Sequence, residues 1–156
     1  MKLTLRLRCE NGQKCCPKLR RQIRRAARTA LLAEGVAGRC ELSVLLTDDE
    51  GIRTFNREFR QVDKPTDVLS FPMGDADPRT GRLLLGDMVL NVERARAQGT
   101  ELGHGADREI CYLTVHSVLH ILGYDHVDEG EQKRAMRARE KLIMARLDPG
   151  GLETET

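Results

Sequence analysis

The sequence predicts an α+β fold: a single domain with helices packed on a small mixed β-sheet and a three-histidine metal site at a helix C-terminus. Three observations predict it. Segments that alternate apolar and polar residues, or that form short apolar runs, interleave with segments of helical periodicity. Two of the strand-like runs are joined by a turn rich in Gly, Asp and Pro, which marks a hairpin. Three of the four histidines fall within residues 116–126, where an apolar helical pattern ends at a glycine.

Residues 2–8 set Leu3, Leu5 and Leu7 against Lys2, Thr4, Arg6 and Arg8, the alternation of a strand with one buried face. After the turn-like Glu10-Asn11-Gly12, Pro17 opens a helix that runs to about residue 34, where Gly35 stops it. Its apolar stripe is Leu19, Ile23, Ala27, Ala30 and Leu31. Its other side carries Arg20, Arg21, Arg24, Arg25 and Arg28, a guanidinium cluster suited to phosphates or bases, although most charge runs are simply solvated helix faces. Residues 41–47 read as a second strand, and Thr47 or Asp48 caps a helix over about 49–57. The stretch 55–72 follows no simple amphipathic pattern: Asp63-Lys64-Pro65-Thr66-Asp67 breaks structure before a short strand at 68–71, which Pro72 ends. Residues 73–82 then form the turn of the hairpin, and 83–90 its second strand. Asn91 caps a helix to about residue 98, and His104, in a loop over 99–105, is expected to face solvent. Residues 107–122 have the length and apolar spacing of a buried helix, and 129–147 form a last helix of mixed charge.

At 156 residues the chain fits one domain, expected over 1–148, followed by a polar tail at 149–156 expected to be disordered. No apolar run approaches the roughly 20 residues that span a bilayer, and the amino terminus lacks the apolar core of a secretory signal. The expected location is therefore cytoplasmic, with no membrane partner. The five cysteines, Cys9, Cys15, Cys16, Cys40 and Cys111, form no C-x-x-C pair and leave an odd one over, which fits reduced thiols. Adjacent Cys15 and Cys16 have poor geometry for a tetrahedral sulfur site. The net charge of +2 conceals an asymmetry: residues 1–40 hold 11 Lys/Arg against 2 Asp/Glu, so the front carries +9 and the rest −7. Such a split favours a polyanion such as RNA on one face.

The histidines are the most specific signal. His116 and His120 stand four apart, so a helix projects both imidazoles from one face about one turn apart. Gly123 then ends the helix by taking up a left-handed conformation, and the returning chain brings His126 toward the pair. Three neutral imidazoles suit Zn²⁺, and three protein ligands leave a coordination position open for chemistry. Asp125 is placed either to support the ligands or simply to form the turn.

With these residues in view, the chain resembles the YbeY family of bacterial rRNA-maturation endoribonucleases. That family's pattern looks like H-G-x-L-H-x-x-G-Y-D-H, preceded by N-x-x-[FY]-R, then D-x-P-T-D-V-L-S-F-P, and an L-G-D strand. Here the blocks stand in order at residues 116–126, 56–60 with 63–72, and 85–87. One position departs: Ser117 follows the first histidine, where the family commonly has glycine. The resemblance implies an endoribonuclease directed at single strands, with one Zn²⁺ per chain. It implies a role in ribosomal RNA processing, including the small-subunit RNA 3′ end, and in ribosome quality control. It implies His116, His120 and His126 as metal ligands, Arg60 and His116 as catalytic residues, and single-stranded rRNA, the small ribosomal subunit and an Era-type GTPase as partners. Arg60 would neutralise charge building on the phosphoryl oxygens; an ion pair with Asp63 or Asp67 is its structural alternative. The attacking group is either water or the RNA's own 2′-hydroxyl.

Two other classes compete. The spacing His-x₃-His-x₂-Gly-x₂-His also fits a metzincin-like zinc metalloprotease, in which a glutamate directly after the first histidine is the base; Ser117 stands there instead. A non-catalytic ribosome assembly factor stabilised by zinc would show a metal held by four protein ligands.

Overall fold

The structure is a computed structural model, and it describes residues 1–124 and 130–147. The leucine alternation at the amino terminus forms β1 (Lys2–Cys9), with Leu3 and Leu5 buried. Pro17 sits at the first turn of α1 (Pro17–Ala33), which buries Leu19, Ile23, Ala26, Ala27, Ala30 and Leu31. There follow β2 (Arg39–Thr47), α2 (Asp49–Arg60), β3 (Val68–Ala76), β4 (Leu83–Asn91), α3 (Val92–Glu101), α4 (Ala106–Ile121) and α5 (Glu131–Leu147). Two caps follow the expected chemistry: the Asp48 carboxylate accepts from the Gly51 N–H at 2.9 Å, and the Asn91 side chain accepts from the Arg94 N–H at 3.2 Å.

The sheet order is β1-β2-β4-β3; β1 and β2 run parallel, as do β2 and β4, while β3 pairs antiparallel with β4. This is the expected small mixed sheet with its hairpin. One face, bearing Leu3, Leu5, Leu42, Val44, Leu46, Met88 and Leu90, packs on α1 and α4, and α5 closes the main core from behind these two helices. On the other, among the described residues, lies α2, whose Ile52 and Phe55 meet Leu69, Phe71 and Val89 in a smaller cluster. No described helix is long and apolar enough to cross a membrane.

Several expectations need correction. Pro72 does not end β3: the strand runs on to Ala76, so residues 73–76 are strand rather than turn. Proline is tolerated because β3 lies at a sheet edge, and the pairing shifts register between Pro72 and Asp75. Opposite it, Gly86 has φ +150°, and a Cβ there would run into the Phe71 carbonyl oxygen, so the glycine of the L-G-D strand lets the two backbones approach. α2 extends to Arg60 rather than 57, and α3 to Glu101 rather than 98. His104 is not a solvent-facing side chain: its Nε2 lies 2.8 Å from Oε1 of the buried Glu109. Nor are all five cysteines reduced. The turn after β1 brings Cys9 and Cys15 to a Cα separation of 6.2 Å, and they form a disulfide, while Cys16, Cys40 and Cys111 keep their thiols. The tail at 149–156 lies outside the described residues.

The basic helix is also partly committed. Arg20 and Arg24 donate to the carbonyls of Leu5 and Leu3 at 3.2 and 2.9 Å, and Arg25 donates to the Leu147 carbonyl. Arg21 and Arg28 remain exposed on the surface.

Candidate metal centre

α4 ends as its glycine requires. Gly123, at φ +111°, donates to the His120 carbonyl at 3.0 Å, and Tyr124 donates to the Leu119 carbonyl at 3.0 Å, closing the last turn. On the preceding turns, the His116 and His120 rings lie with centroids 4.7 Å apart and planes at 74°. Both are half-buried. The structure therefore brings together the two histidines that the four-residue spacing pairs. His126, the third expected ligand, and Asp125 lie outside the described residues. Among the described residues no third His, Cys, Asp or Glu completes a metal-binding group with the pair.

Behind His116 stands a residue the sequence reading missed. Glu140 of α5 is 5% exposed, and its Oε2 lies 2.6 Å from His116 Nδ1. Its other oxygen accepts from the Tyr112 hydroxyl at 3.2 Å. Burial, and then the Glu140 carboxylate, push the Tyr112 phenol up, so it stays a donor. A signal was present: Glu140 interrupts the apolar stripe of α5 formed by Met136, Ile143, Met144 and Leu147. An imidazole backed by a buried carboxylate, with a second imidazole one turn away, is a donor set that suits Zn²⁺.

The turn after α4 is anchored from two sides. The Tyr124 hydroxyl donates to Glu34 Oε1 at 2.6 Å, and Arg139 donates to Glu34 Oε2 at 2.7 Å and to the Ala33 carbonyl at 3.0 Å. Ser117, the departure from the family pattern, is fully buried, and its hydroxyl pairs with that of Ser70 at 2.7 Å.

Arg60 occupies the last turn of α2 and is exposed. Its structural alternative is not observed among the described residues: Asp63 is held by Arg53 at 2.8 and 3.1 Å, which keeps its carboxyl below the usual range, and Asp67 accepts from the Val68 N–H at 2.7 Å. The neighbouring Phe59 packs edge-on against Phe71 with centroids 5.4 Å apart, over a cavity of about 270 Å³ lined also by Arg8, Ser43 and Asp87. Ser70 and Phe71 are consecutive on edge strand β3 and point to opposite faces. Ser70 touches the residue next to His116, and Phe71 the residue next to Arg60. The arginine and the histidine pair thus flank one short stretch of the same strand. Asn56, which opens the block containing Arg60, is buried and donates to the Lys64 carbonyl at 2.9 Å, shaping the loop that leads into β3.

Fold and site define an α+β protein whose histidine-bearing helix lies along an edge strand, with a basic residue across that strand. The chain belongs to the YbeY family: the family model described as Endoribonuclease YbeY matches residues 7–148. A protein named Endoribonuclease YbeY from Pelotomaculum thermopropionicum is 46% identical over 127 residues, covering 80% of this chain and 83% of that one. Another of that name from Thermoanaerobacter sp. is 41% identical over 139 residues, covering 82% and 87%. The solution structure of TM1509 from Thermotoga maritima superposes with a TM-score of 0.63 at 22% identity, over 97% of this chain and 93% of that one, which supports the fold. The family match begins in β1, so it takes in the basic helix that the motif blocks leave out.

Proposed function

We propose that this member of the endoribonuclease family cleaves single-stranded ribosomal RNA using one Zn²⁺ per chain held by His116, His120 and His126. The reading extends to maturation of the small-subunit rRNA, including its 3′ end, and to ribosome quality control in the cytoplasm, with the small subunit and an Era-type GTPase as partners. The observation that carries it is the buried Glu140 carboxylate on Nδ1 of His116, beside the second imidazole, a pairing typical of metal-ligating histidine.

Zn²⁺, when bound, supplies the charge that polarises a scissile phosphate and acidifies water. The residues of the chain do the rest. Glu140 holds the His116 proton on Nδ1, which leaves the lone pair on Nε2. Arg60 offers a bidentate, permanently charged fork to phosphoryl oxygens across the edge of β3. Phe59, 60% exposed beside Arg60, offers a face on which an unstacked base packs, which favours a single-stranded substrate. Ser117 occupies the place of the metzincin base but is buried against Ser70, so it favours no protease.

The test is cleavage of single-stranded rRNA by zinc-quantified protein, beside His120→Ala and with a peptide library in parallel. Cleavage that disappears with His120→Ala while peptides stay intact is the expected result. Peptide cleavage would return the metalloprotease, and zinc bound with neither substrate cut would favour an assembly factor. Arg60→Ala should keep its zinc and lose at least about tenfold in cleavage rate, the scale of one transition-state charge contact; an unchanged rate removes Arg60 from the site.

A further inference from the structure

We propose that Glu140 is the positioning residue of this metal centre: from α5 it fixes the ring orientation and tautomer of His116 so that Nε2 faces the ion. The inference rests on the zinc reading above and deepens it. Both Glu140 oxygens are committed, one to His116 Nδ1 at 2.6 Å and one to the Tyr112 hydroxyl at 3.2 Å, so the carboxylate has little freedom to turn. Tyr112 and His116 lie one turn apart on α4, with ring centroids 6.1 Å apart. The carboxylate therefore grips the same helix face at two levels.

A carboxylate this deeply buried is unfavourable in an apolar helix interface unless it is well partnered. Its partners among the described residues are a histidine and a phenol. Zinc-ligating histidines depend on such a group, because the acceptor on the far nitrogen both aims the ring and raises its basicity. The helix that carries Glu140 is itself fastened. The adjacent Arg139 grips Glu34 and the Ala33 carbonyl, and Arg25 of α1 reaches the Leu147 carbonyl at the end of α5. Through Glu34, the same Arg139 is linked to Tyr124, two residues before His126. Consecutive residues of α5 thus support both the first histidine and, through Glu34, Tyr124 in the turn that closes α4.

The experiment is competitive zinc titration of the full chain against a chromophoric chelator. Wild type is compared with Glu140→Gln, Glu140→Leu and His120→Ala, and the fold of each is followed by circular dichroism without metal. Glu140→Leu should bind zinc about 10–100-fold more weakly. Glu140→Gln keeps an acceptor of the same shape and should recover part of that loss. Its Co²⁺-substituted form should show shifted visible absorption bands, a change that a purely structural role would not produce. Should Glu140→Leu fail to fold, Glu140→Gln carries the test alone: wild-type zinc affinity together with unshifted cobalt bands overturns the proposal. Wild-type protein that takes up no zinc, or His120→Ala that takes up as much as wild type, overturns the metal reading instead, and this inference with it.

Discussion

Ser117 occupies a position where the family commonly has glycine, and its surroundings explain how a hydroxyl is accommodated there. The side chain is buried inside α4 and shares a hydrogen bond with Ser70 at 2.7 Å, which ties the histidine helix to edge strand β3. Ser117→Gly removes that bond and places glycine in a helix interior, changes that together cost about 1–2 kcal/mol. The same substitution made on a Ser70→Ala background should cost about 1 kcal/mol less, since the partner is already gone. Urea unfolding of the four proteins measures both values, and strict additivity would show that the two hydroxyls do not interact. At this scale the sequence was readable for the pairing of His116 with His120 and silent on the buried carboxylate behind them. The four-residue spacing of His116 and His120 needs only helix geometry. The contact of Glu140 with His116, 24 residues away, depends on how α5 crosses α4, which no local pattern encodes. His104 was misread for the same reason: its loop looks polar, but its partner Glu109 is buried on the next helix.

Helix α1 shows how one element serves two purposes that its composition merges. Arg20 and Arg24 are four residues apart, a rise of about 6 Å along a helix, and their acceptors on Leu5 and Leu3 are two residues apart, about 6.6 Å along a strand. The matching distances let two guanidiniums occupy successive outward carbonyls of edge strand β1. An open strand edge invites pairing with another chain. Arg20→Ala with Arg24→Ala should therefore lower stability by about 1–2 kcal/mol and produce concentration-dependent self-association in light scattering. The paired lysine variants, which keep the charge but not the fork, separate geometry from net charge. A double alanine variant that stays monomeric would show that the arginines are not what guards this edge. The strands and helices themselves were largely legible in the sequence because period and caps are local. The continuation of β3 through Pro72 was not, since only its place at the sheet edge makes proline tolerable there.

Across the whole molecule, the sheet divides the surface between two kinds of group. α4 and α5 on one face carry the histidines and their support, α2 on the other carries Arg60 and Phe59, and β3 forms the rim between them. A single strand of RNA crossing that rim would meet both sets without a duplex groove. The charge asymmetry belongs to the same picture, because the +9 of residues 1–40 gives a polyanion a preferred side of approach. Part of that charge has structural duties: Arg20, Arg24 and Arg25 hold backbone carbonyls, whereas Arg21 and Arg28 are exposed and in no ion pair among the described residues. If α1 contacts RNA, these two are its contacts. Each phosphate contact to a single strand contributes about 0.7 to the slope of log affinity against log salt. Arg21→Ala with Arg28→Ala should then flatten that slope by about 1.4, read by fluorescence anisotropy of a labelled single-stranded RNA across a salt series. The melting temperature should stay unchanged, because neither side chain supports the fold. An unaltered slope would take the basic helix off the RNA path and leave the surface proposed at Arg60 and the rim of β3 as the next to be tested.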